Sequence, residues 1–142
     1  MTLVIDASVA CKWFVTETGS DAAEVLLASG ATLLAPDVIL PELCNVAWIK
    51  LRRGEIVPEQ AAGMAGSLPD LFDQLVPSTH LAVRALDIAN ELDHPAYDCF
   101  YLAAAELHDA RMVTDDQRLL ARVRGSAWAP RVIRLGDSVV GK

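Results

Sequence analysis

The sequence contains little that would support a disulfide-stabilised or zinc-binding domain. Its 3 cysteines, Cys11, Cys44 and Cys99, are odd in number and widely spaced. Neither a disulfide framework nor a cysteine-rich metal site fits this spacing. Each cysteine lies among apolar residues, so we expect all three to be reduced residues of the core.

Long apolar runs are also lacking. No stretch approaches the roughly 18 consecutive apolar residues of a membrane span, and the first residues lack the basic start and cleavage site of a signal peptide. We therefore expect a cytoplasmic protein. The chain still leans apolar, with 53% hydrophobic residues and a mean hydropathy of +0.31, which suggests that a partner covers some of its surface.

Positive charge is scarce as well. The 12 lysines and arginines are outnumbered by 19 acidic residues, and the net charge is -7. This charge argues against a protein that coats nucleic acid by bulk electrostatic attraction. Half of the 12 basic residues nevertheless lie between Arg111 and Arg134, and Lys50, Arg52 and Arg53 form a second small group. Local basic strips are therefore compatible with the composition.

Repeats, low-complexity stretches and linkers are absent from the sequence, so we expect one domain over its 142 residues. Short β-rich runs alternate with helical patterns. The predicted strands are 2–5, 32–35, 75–76, 111–113 and 132–135. The predicted helices are 7–15, 20–28, 37–53, 58–72 with an interruption near 66–69, 79–92, 96–109 and 115–123. The alternation predicts an α/β fold with a parallel sheet covered on both faces.

Acidic residues directly follow two of these predicted strands. Asp6 ends the run LVI, while Asp115 and Asp116 come just after the strand at 111–113. Sites in parallel sheets form at the carboxyl ends of the strands. If the two strands are neighbours, Asp6 shares one rim with at least one of the other two acids. Taken alone, Asp6 is equally compatible with a helix N-cap.

Two further acids lie on helices that are otherwise apolar. Glu42 is within PELCNVAW, and Asp98 is within YDCFYLAAAE. An isolated carboxylate in such surroundings carries a desolvation cost unless something positive compensates it. The alternatives are that Glu42 faces solvent together with Asn45, and that Asp98 favours the helix dipole from the first turn.

A set of four carboxylates at one rim suits a hard divalent cation. Clustered carboxylates repel one another unless a cation lies between them. Mg²⁺ and Mn²⁺ prefer oxygen ligands and also bind phosphate oxygens, which favours metal-assisted hydrolysis of a phosphodiester. The histidines, His80, His94 and His108, lack a ligand spacing and are interpreted as surface or interhelix residues.

These segments together resemble the PIN-domain proteins, most closely the VapC-type toxins of prokaryotic toxin–antitoxin pairs. The resemblance is carried by VIDASV, PELCNVAW, YDCFYLAAAE and VTDDQRLL, in that order, and it spans nearly the whole chain. It implies a single PIN domain over residues 1–142, with a three-layer α/β/α architecture and a parallel sheet of strand order 3-2-1-4-5. It also implies a metal-dependent endoribonuclease that acts as the toxin of such a pair.

The resemblance further implies roles for individual residues. The catalytic acidic cluster would consist of Asp6, Glu42, Asp98 and Asp116. Of these, Asp6, Asp98 and Asp116 would bind Mg²⁺ or Mn²⁺, with Ser8 and Thr114 as supporting hydroxyls. The expected partners are an RNA substrate, a cognate small antitoxin protein and a second copy of the chain, with no membrane.

Local patterns around the last acid add two hypotheses. The sequence from Thr114 to Gln117 predicts a capping box with Thr114 as the N-cap, which leaves Asp115 to favour the helix dipole. Arg118 and Arg122 are spaced i and i+4, so they share one helix face that begins at the rim. We interpret that face as an RNA-binding strip; the alternatives are a solvated face or arginines that bind an antitoxin.

Aromatic residues near the site favour a partner-covered surface. Trp13, Phe14 and Trp48 flank the candidate rim, and exposed aromatics at such a place usually contact a partner. The competing interpretation is that all three belong to the core.

Two other classes of protein stay open on the sequence alone. A phosphatase of the haloacid dehalogenase type also begins with a strand that ends in Asp, but it needs a second Asp where this chain has Ser8. A non-catalytic PIN-like module that binds RNA or protein would be expected to lack one or more of the acids, and all four are present.

Overall fold

A single parallel sheet organises the chain. The computed structural model describes residues 1–137. The strands are β1 (Thr2–Ile5), β2 (Thr32–Pro36), β3 (Gln74–Val76), β4 (Arg111–Thr114) and β5 (Val132–Arg134). They pair in parallel in the order β3-β2-β1-β4-β5. This confirms the parallel α/β sheet and the strand order 3-2-1-4-5.

Helices flank this sheet. Within residues 1–137 they are α1 (Ala7–Ala10), α2 (Ser20–Ala28), α3 (Ile39–Arg52), α4 (Pro58–Ser67), α5 (Ala82–Leu92), α6 (Ala96–Leu107) and α7 (Gln117–Val123). Short 3₁₀ turns cover Cys11–Trp13, Leu68–Leu71, Ser78–His80 and Ala129–Arg131. In the described part of the chain, no helix is long and apolar enough to cross a membrane.

The central strand explains how the rim is built. Leu3, Val4 and Ile5 are completely buried, as expected of a strand covered on both faces. Ile5 is in register with Val113 of β4. The residue after Ile5 and the residue after Val113 therefore emerge side by side at the carboxyl end of the sheet.

Helix α6 packs closely on the middle of the sheet. Three consecutive alanines, Ala103 to Ala105, are buried, and the helix contacts β1, β2 and β4. Small side chains allow the helix backbone to approach the strands. Helix α5 packs along α6, while α3 packs against α4 and α1.

Several helix boundaries differ from those expected. The helix predicted for 7–15 ends at Ala10 and tightens into the 3₁₀ turn Cys11–Trp13. The helix predicted to begin at 79 begins at Ala82, after a 3₁₀ turn whose Ser78 is held by hydrogen bonds to the Asp37 carboxylate. The interruption expected near 66–69 is confirmed, since α4 ends at Ser67 and the 3₁₀ turn Leu68–Leu71 follows it.

The cysteine prediction is wrong at one of three positions. Cys11 and Cys99 are buried, whereas Cys44 is exposed. The buried face of α3 consists of Ile39, Leu43 and Ala47. Position 44 follows Leu43 by about 100° around the helix and so leaves this face.

Candidate active site

Asp6 is the buried acid at the centre of the rim. It follows β1 directly, caps the N-terminus of α1 and is only 5% exposed. Its Oδ1 accepts hydrogen bonds from the Ser8 hydroxyl at 2.6 Å and the Val9 N–H at 3.1 Å. Its Oδ2 accepts one from the Thr114 hydroxyl. The two interpretations from sequence, N-cap and rim acid, therefore both hold for this side chain.

Burial dominates the electrostatics of Asp6. Desolvation raises the pKa of its carboxyl from 3.8 to about 7, although the hydrogen bonds from Ser8, Thr114 and Val9 favour the ionised form. The charge of Asp98 raises that pKa further. Asp6 thus lies within electrostatic range of a second predicted acid and is poorly solvated.

Glu42 reaches the same region from the first turn of α3. It is half-buried, and its Oε1 accepts a 2.6 Å hydrogen bond from the hydroxyl of Tyr101 on α6. Burial raises the pKa of Glu42, the bond from Tyr101 lowers it, and Asp98 raises it again. The side chain therefore does not lie on a purely solvated strip, which was the alternative interpretation.

Tyr101 is a site residue that the sequence interpretation missed. It is 1% exposed, and its pKa lies well above 10.0 because of burial and of the charges of Glu42, Asp6 and Asp98. The charges of all three carboxylates therefore act on one buried hydroxyl, which donates to Glu42. A signal was present in YDCFY, since residues three apart on a helix share a face and Tyr101 follows Asp98 by three.

Asp98 is held by a second residue that was missed. Nε2 of His94 lies 2.6 Å from Oδ2 of Asp98, and the His94 side chain is 6% exposed against 26% for Asp98. His94 lies between α5 and α6, where Asp93 turns the chain with a left-handed backbone (φ 50). Because His94 precedes α6, helical spacing gave no signal for this contact.

The predicted capping box at the start of α7 is wrong. The N-cap is Asp116, whose Oδ1 accepts hydrogen bonds from the N–H groups of Arg118 and Leu119. Thr114 belongs to β4 instead. Its hydroxyl donates to Asp6 and accepts from the Asp116 N–H at 3.0 Å. The helix therefore begins two residues later than expected, at Gln117.

The neighbouring acid, Asp115, points to a different partner. Its Oδ2 lies 3.4 Å from Nζ of Lys12, a lysine that is only 8% exposed. Nζ of Lys12 also donates to the Thr18 carbonyl at 2.7 Å and lies 3.4 Å from Glu17. The Asp115 N–H donates to the Ser8 hydroxyl at 3.1 Å. Asp115 thus pairs with a cation of the chain itself, whereas Asp116 caps a helix.

The acids of the rim supply suitable donors for a metal without forming a complete site. Asp6, Glu42 and Asp98 are electrostatically coupled, and Asp116 joins the rim through Thr114. Among residues 1–137, however, no three Asp, Glu, His or Cys side chains are close enough together to bind a metal ion as they stand. The donor chemistry fits a hard cation, because these are oxygen ligands that repel one another without one.

The remaining predicted residues lie around this rim in different environments. On α7, Arg118 and Arg122 are both exposed. Trp48 is 54% exposed, but Trp13 and Phe14 are partly buried against the core. The Trp13 indole N–H donates to the Ala23 carbonyl at 2.9 Å, and its ring lies 5.6 Å from that of Phe72. The aromatic surface is therefore smaller than the sequence suggested.

The fold and the rim define an α/β protein with a cluster of carboxylates at the carboxyl ends of its central strands. The family model of the PIN domain matches residues 3–126. The chain therefore belongs to the PIN domain family.

Two further kinds of similarity accompany this assignment. Over 121 residues the chain is 31% identical to Ribonuclease VapC3 of Pyrobaculum aerophilum, covering 84% of this chain and 92% of that protein. The crystal structure of PAE2754 from Pyrobaculum aerophilum has a similar fold at 20% identity, with a TM-score of 0.70 and coverage of 95% of this chain and 84% of that one. A toxin–antitoxin complex from Klebsiella pneumoniae, also at 20% identity, matches with a TM-score of 0.61 over 92% of this chain and 95% of that one.

Burial of Asp6 predicts a specific pH dependence of stability. In the metal-free folded protein the pKa of the Asp6 carboxyl is about 7, compared with 3.8 in the unfolded chain. Between these two pH values the folded protein keeps a proton on Asp6 that the unfolded chain has released. The contribution of this proton to the free energy of unfolding is fully present below pH about 4 and is lost as the pH rises through about 7. Asp6→Asn should remove this pH dependence. Its free energy of unfolding should therefore rise relative to that of the wild type, by up to about 4 kcal/mol, as the pH increases across that window.

Urea unfolding in the presence of a chelator, from about pH 4 to about pH 8, measures this difference. Asp87→Asn, which changes an exposed carboxyl on α5, is the matched control and should show no such trend. A difference between wild type and Asp6→Asn that stays constant with pH would contradict the raised pKa.

Proposed function

We propose that this protein is a metal-dependent endoribonuclease that hydrolyses phosphodiester bonds in RNA and acts as the toxin of a toxin–antitoxin pair. The observation that carries the proposal is the placement of the buried Asp6 at the end of β1, within electrostatic range of Asp98, while Glu42 accepts the hydrogen bond of the buried Tyr101 hydroxyl. Membership of the PIN domain family and similarity to a ribonuclease over most of the chain support it.

The proposed cofactor is Mg²⁺ or Mn²⁺, held by Asp6, Asp98 and Asp116. Such an ion supplies charge neutralisation at the phosphate and a reactive water near neutral pH. Glu42 would complete the acidic cluster beside these ligands. Oxygen donors on three different elements, namely the end of β1, α6 and the N-cap of α7, support this choice of ion.

The chain's own residues orient the proposed ligands. Ser8 and Thr114 donate to opposite oxygens of Asp6, so that this carboxylate is held in one plane. His94 contacts one oxygen of Asp98, and Tyr101 donates to one oxygen of Glu42. Hydrogen bonds of this kind fix ligand direction, and their removal commonly weakens metal binding about 10- to 100-fold.

A protein partner and a second copy of the chain are part of the proposal. A protein of the same fold occurs in a toxin–antitoxin complex from Klebsiella pneumoniae, which supports a small antitoxin as the partner. Val83 and Leu86, three residues apart on α5, are 81% and 67% exposed. An exposed apolar face of this kind supports a homodimer.

Removal of charge at the centre of the cluster should abolish cleavage. Asp6→Asn and Asp98→Asn keep the shape of the side chain but remove an anionic ligand, so the ion no longer binds while repulsion falls. We expect no metal-dependent cleavage of single-stranded RNA by either variant and a melting temperature without metal that is equal or higher. Asp87→Asn should cleave like the wild type.

The same assay should include release of phosphate from a phosphomonoester. Full nuclease activity in Asp6→Asn would refute the site assignment. Phosphomonoester hydrolysis without RNA cleavage by the wild type would indicate a phosphatase, and RNA binding without any cleavage would indicate a non-catalytic module.

The two adjacent acids should differ in their effect on activity. Asp116→Asn preserves an N-cap acceptor for α7, since Asn caps helices about as well as Asp, yet it removes the charge. We expect it to lower cleavage activity far more than Asp115→Ala, which deprives the buried Lys12 of one partner and should mainly lower stability. Rates and thermal melts of both variants test this; equal reductions in activity would mean that Asp115 is also a ligand.

The arginine face of α7 is the proposed RNA-binding surface on this acidic protein. Removing one interaction between an arginine and a phosphate of single-stranded RNA should reduce the log–log salt slope by about 0.7. Arg118→Ala with Arg122→Ala, in an Asp6→Asn background, should therefore lower both this slope and the affinity. Arg53→Ala changes an exposed arginine of the second basic group; it tests the alternative RNA path and should leave the slope unchanged. If the slope is unchanged in the double variant but reduced in Arg53→Ala, the RNA binds at Lys50, Arg52 and Arg53 and not at the arginines of α7.

A further inference from the structure

An open cleft of about 430 Å³ lies beside the carboxylates. It is formed between the first residue of α1, the preceding loop and first two turns of α3, and the start of α6. Its apolar lining comes from Val38, Pro41 and Val46. The proposed chemistry assigns no role to this cleft.

The cleft reaches the acidic cluster at Glu42. Glu42 forms part of its wall, Ala7 directly follows Asp6, and Tyr97 directly precedes Asp98. Each of the three coupled carboxylates is therefore either a lining residue or the chain neighbour of one. A phosphodiester bound at these carboxylates would have one of its two flanking nucleosides next to the cleft.

The lining suits a flat, uncharged heteroaromatic ring. Tyr97 is an aromatic residue that is 65% exposed, and Asn45 supplies an amide with both donors and acceptors. Among the described residues that line the cleft there is no lysine or arginine, and the only charged one is Glu42. A phosphate would be repelled there, whereas a base can stack on an aromatic ring and form hydrogen bonds through its edge.

We propose that this cleft is a nucleobase subsite, in which Tyr97 stacks on the base next to the scissile phosphate and Asn45 recognises its edge. The inference rests on the proposed ribonuclease function and adds to it a determinant of cleavage-site preference. A base enters such a cleft only when it is unstacked from its neighbours, so the subsite favours single-stranded RNA or loops.

The test combines changes to the protein with removal of the base. Wild type, Tyr97→Phe, Tyr97→Ala and Asn45→Ala are used to cleave a randomised single-stranded RNA pool, and the new ends are sequenced. The preferred RNA is then made with an abasic nucleotide on either side of the cut. Trp48→Ala is the matched control, because Trp48 is an exposed aromatic on α3 that does not line the cleft.

We expect the abasic change on one side of the cut to lower kcat/KM of the wild type about tenfold. Tyr97→Ala should show a similar reduction with the intact RNA and little further reduction with the abasic RNA. Tyr97→Phe should retain the wild-type values because it keeps the ring. Asn45→Ala should broaden the base preference at that position, while Trp48→Ala should leave the preference unchanged.

Other outcomes would overturn the proposal. If the wild type cleaves RNA but Tyr97→Ala and Asn45→Ala keep its base preference and its sensitivity to the abasic change, the cleft is not a base subsite. If the same two variants keep the base preference but are inhibited less strongly by the antitoxin, the cleft binds protein and not a base. Failure of the wild type to cleave any RNA would refute the proposed function itself, and so differs from either result.

Discussion

The structure depends on placing one carboxylate, Asp6, in a nearly water-free position at the end of the central strand. Burying an ionised group is costly unless hydrogen bonds or a cation replace the water. Donors arrive from α1 and from the end of β4, which lies beside β1 in the sheet. The hydrogen bonds that hold Asp6 therefore also join the β1–α1 turn to the β4–α7 turn, and they align the rim.

Helix α6 brings the other charges to Asp6. Its buried alanines let it lie against β1, β2 and β4, and Asp98 and Tyr101 project from it three residues apart, on one face. The Tyr101 hydroxyl then donates to Glu42, which joins α6 to α3. Burial, with a smaller contribution from the charge of Asp98, raises the pKa values of Asp6 and Glu42. A bound cation would favour the ionised form of both carboxylates.

Neighbouring residues in this chain acquire different roles from their surroundings. Asp115 and Asp116 are adjacent, yet one pairs with Lys12 and the other caps α7. Lys12 itself is buried and held by the Thr18 carbonyl. The chain therefore neutralises one acid of the rim internally, while the acids proposed to bind a metal lie near other acids.

The sequence by itself determined the alternation of strands and helices, because apolar periodicity is a local property. It also marked Asp6, Glu42 and Asp98, since a carboxylate in an apolar segment carries a cost that demands an explanation. Resemblance to a family, rather than periodicity, predicted the order of the strands.

Only the tertiary structure decided which groups meet those acids. The Tyr101 hydroxyl reaches Glu42 across 59 residues of sequence, and Thr114 reaches Asp6 across 108. Such pairings leave no periodic trace in the sequence, because they follow from how the helices pack on the sheet. The cap of α7 was mispredicted because Thr114 belongs to β4 and its hydroxyl donates to Asp6. The exposure of Cys44 was mispredicted because local patterns do not show how much of a helix the rest of the fold covers.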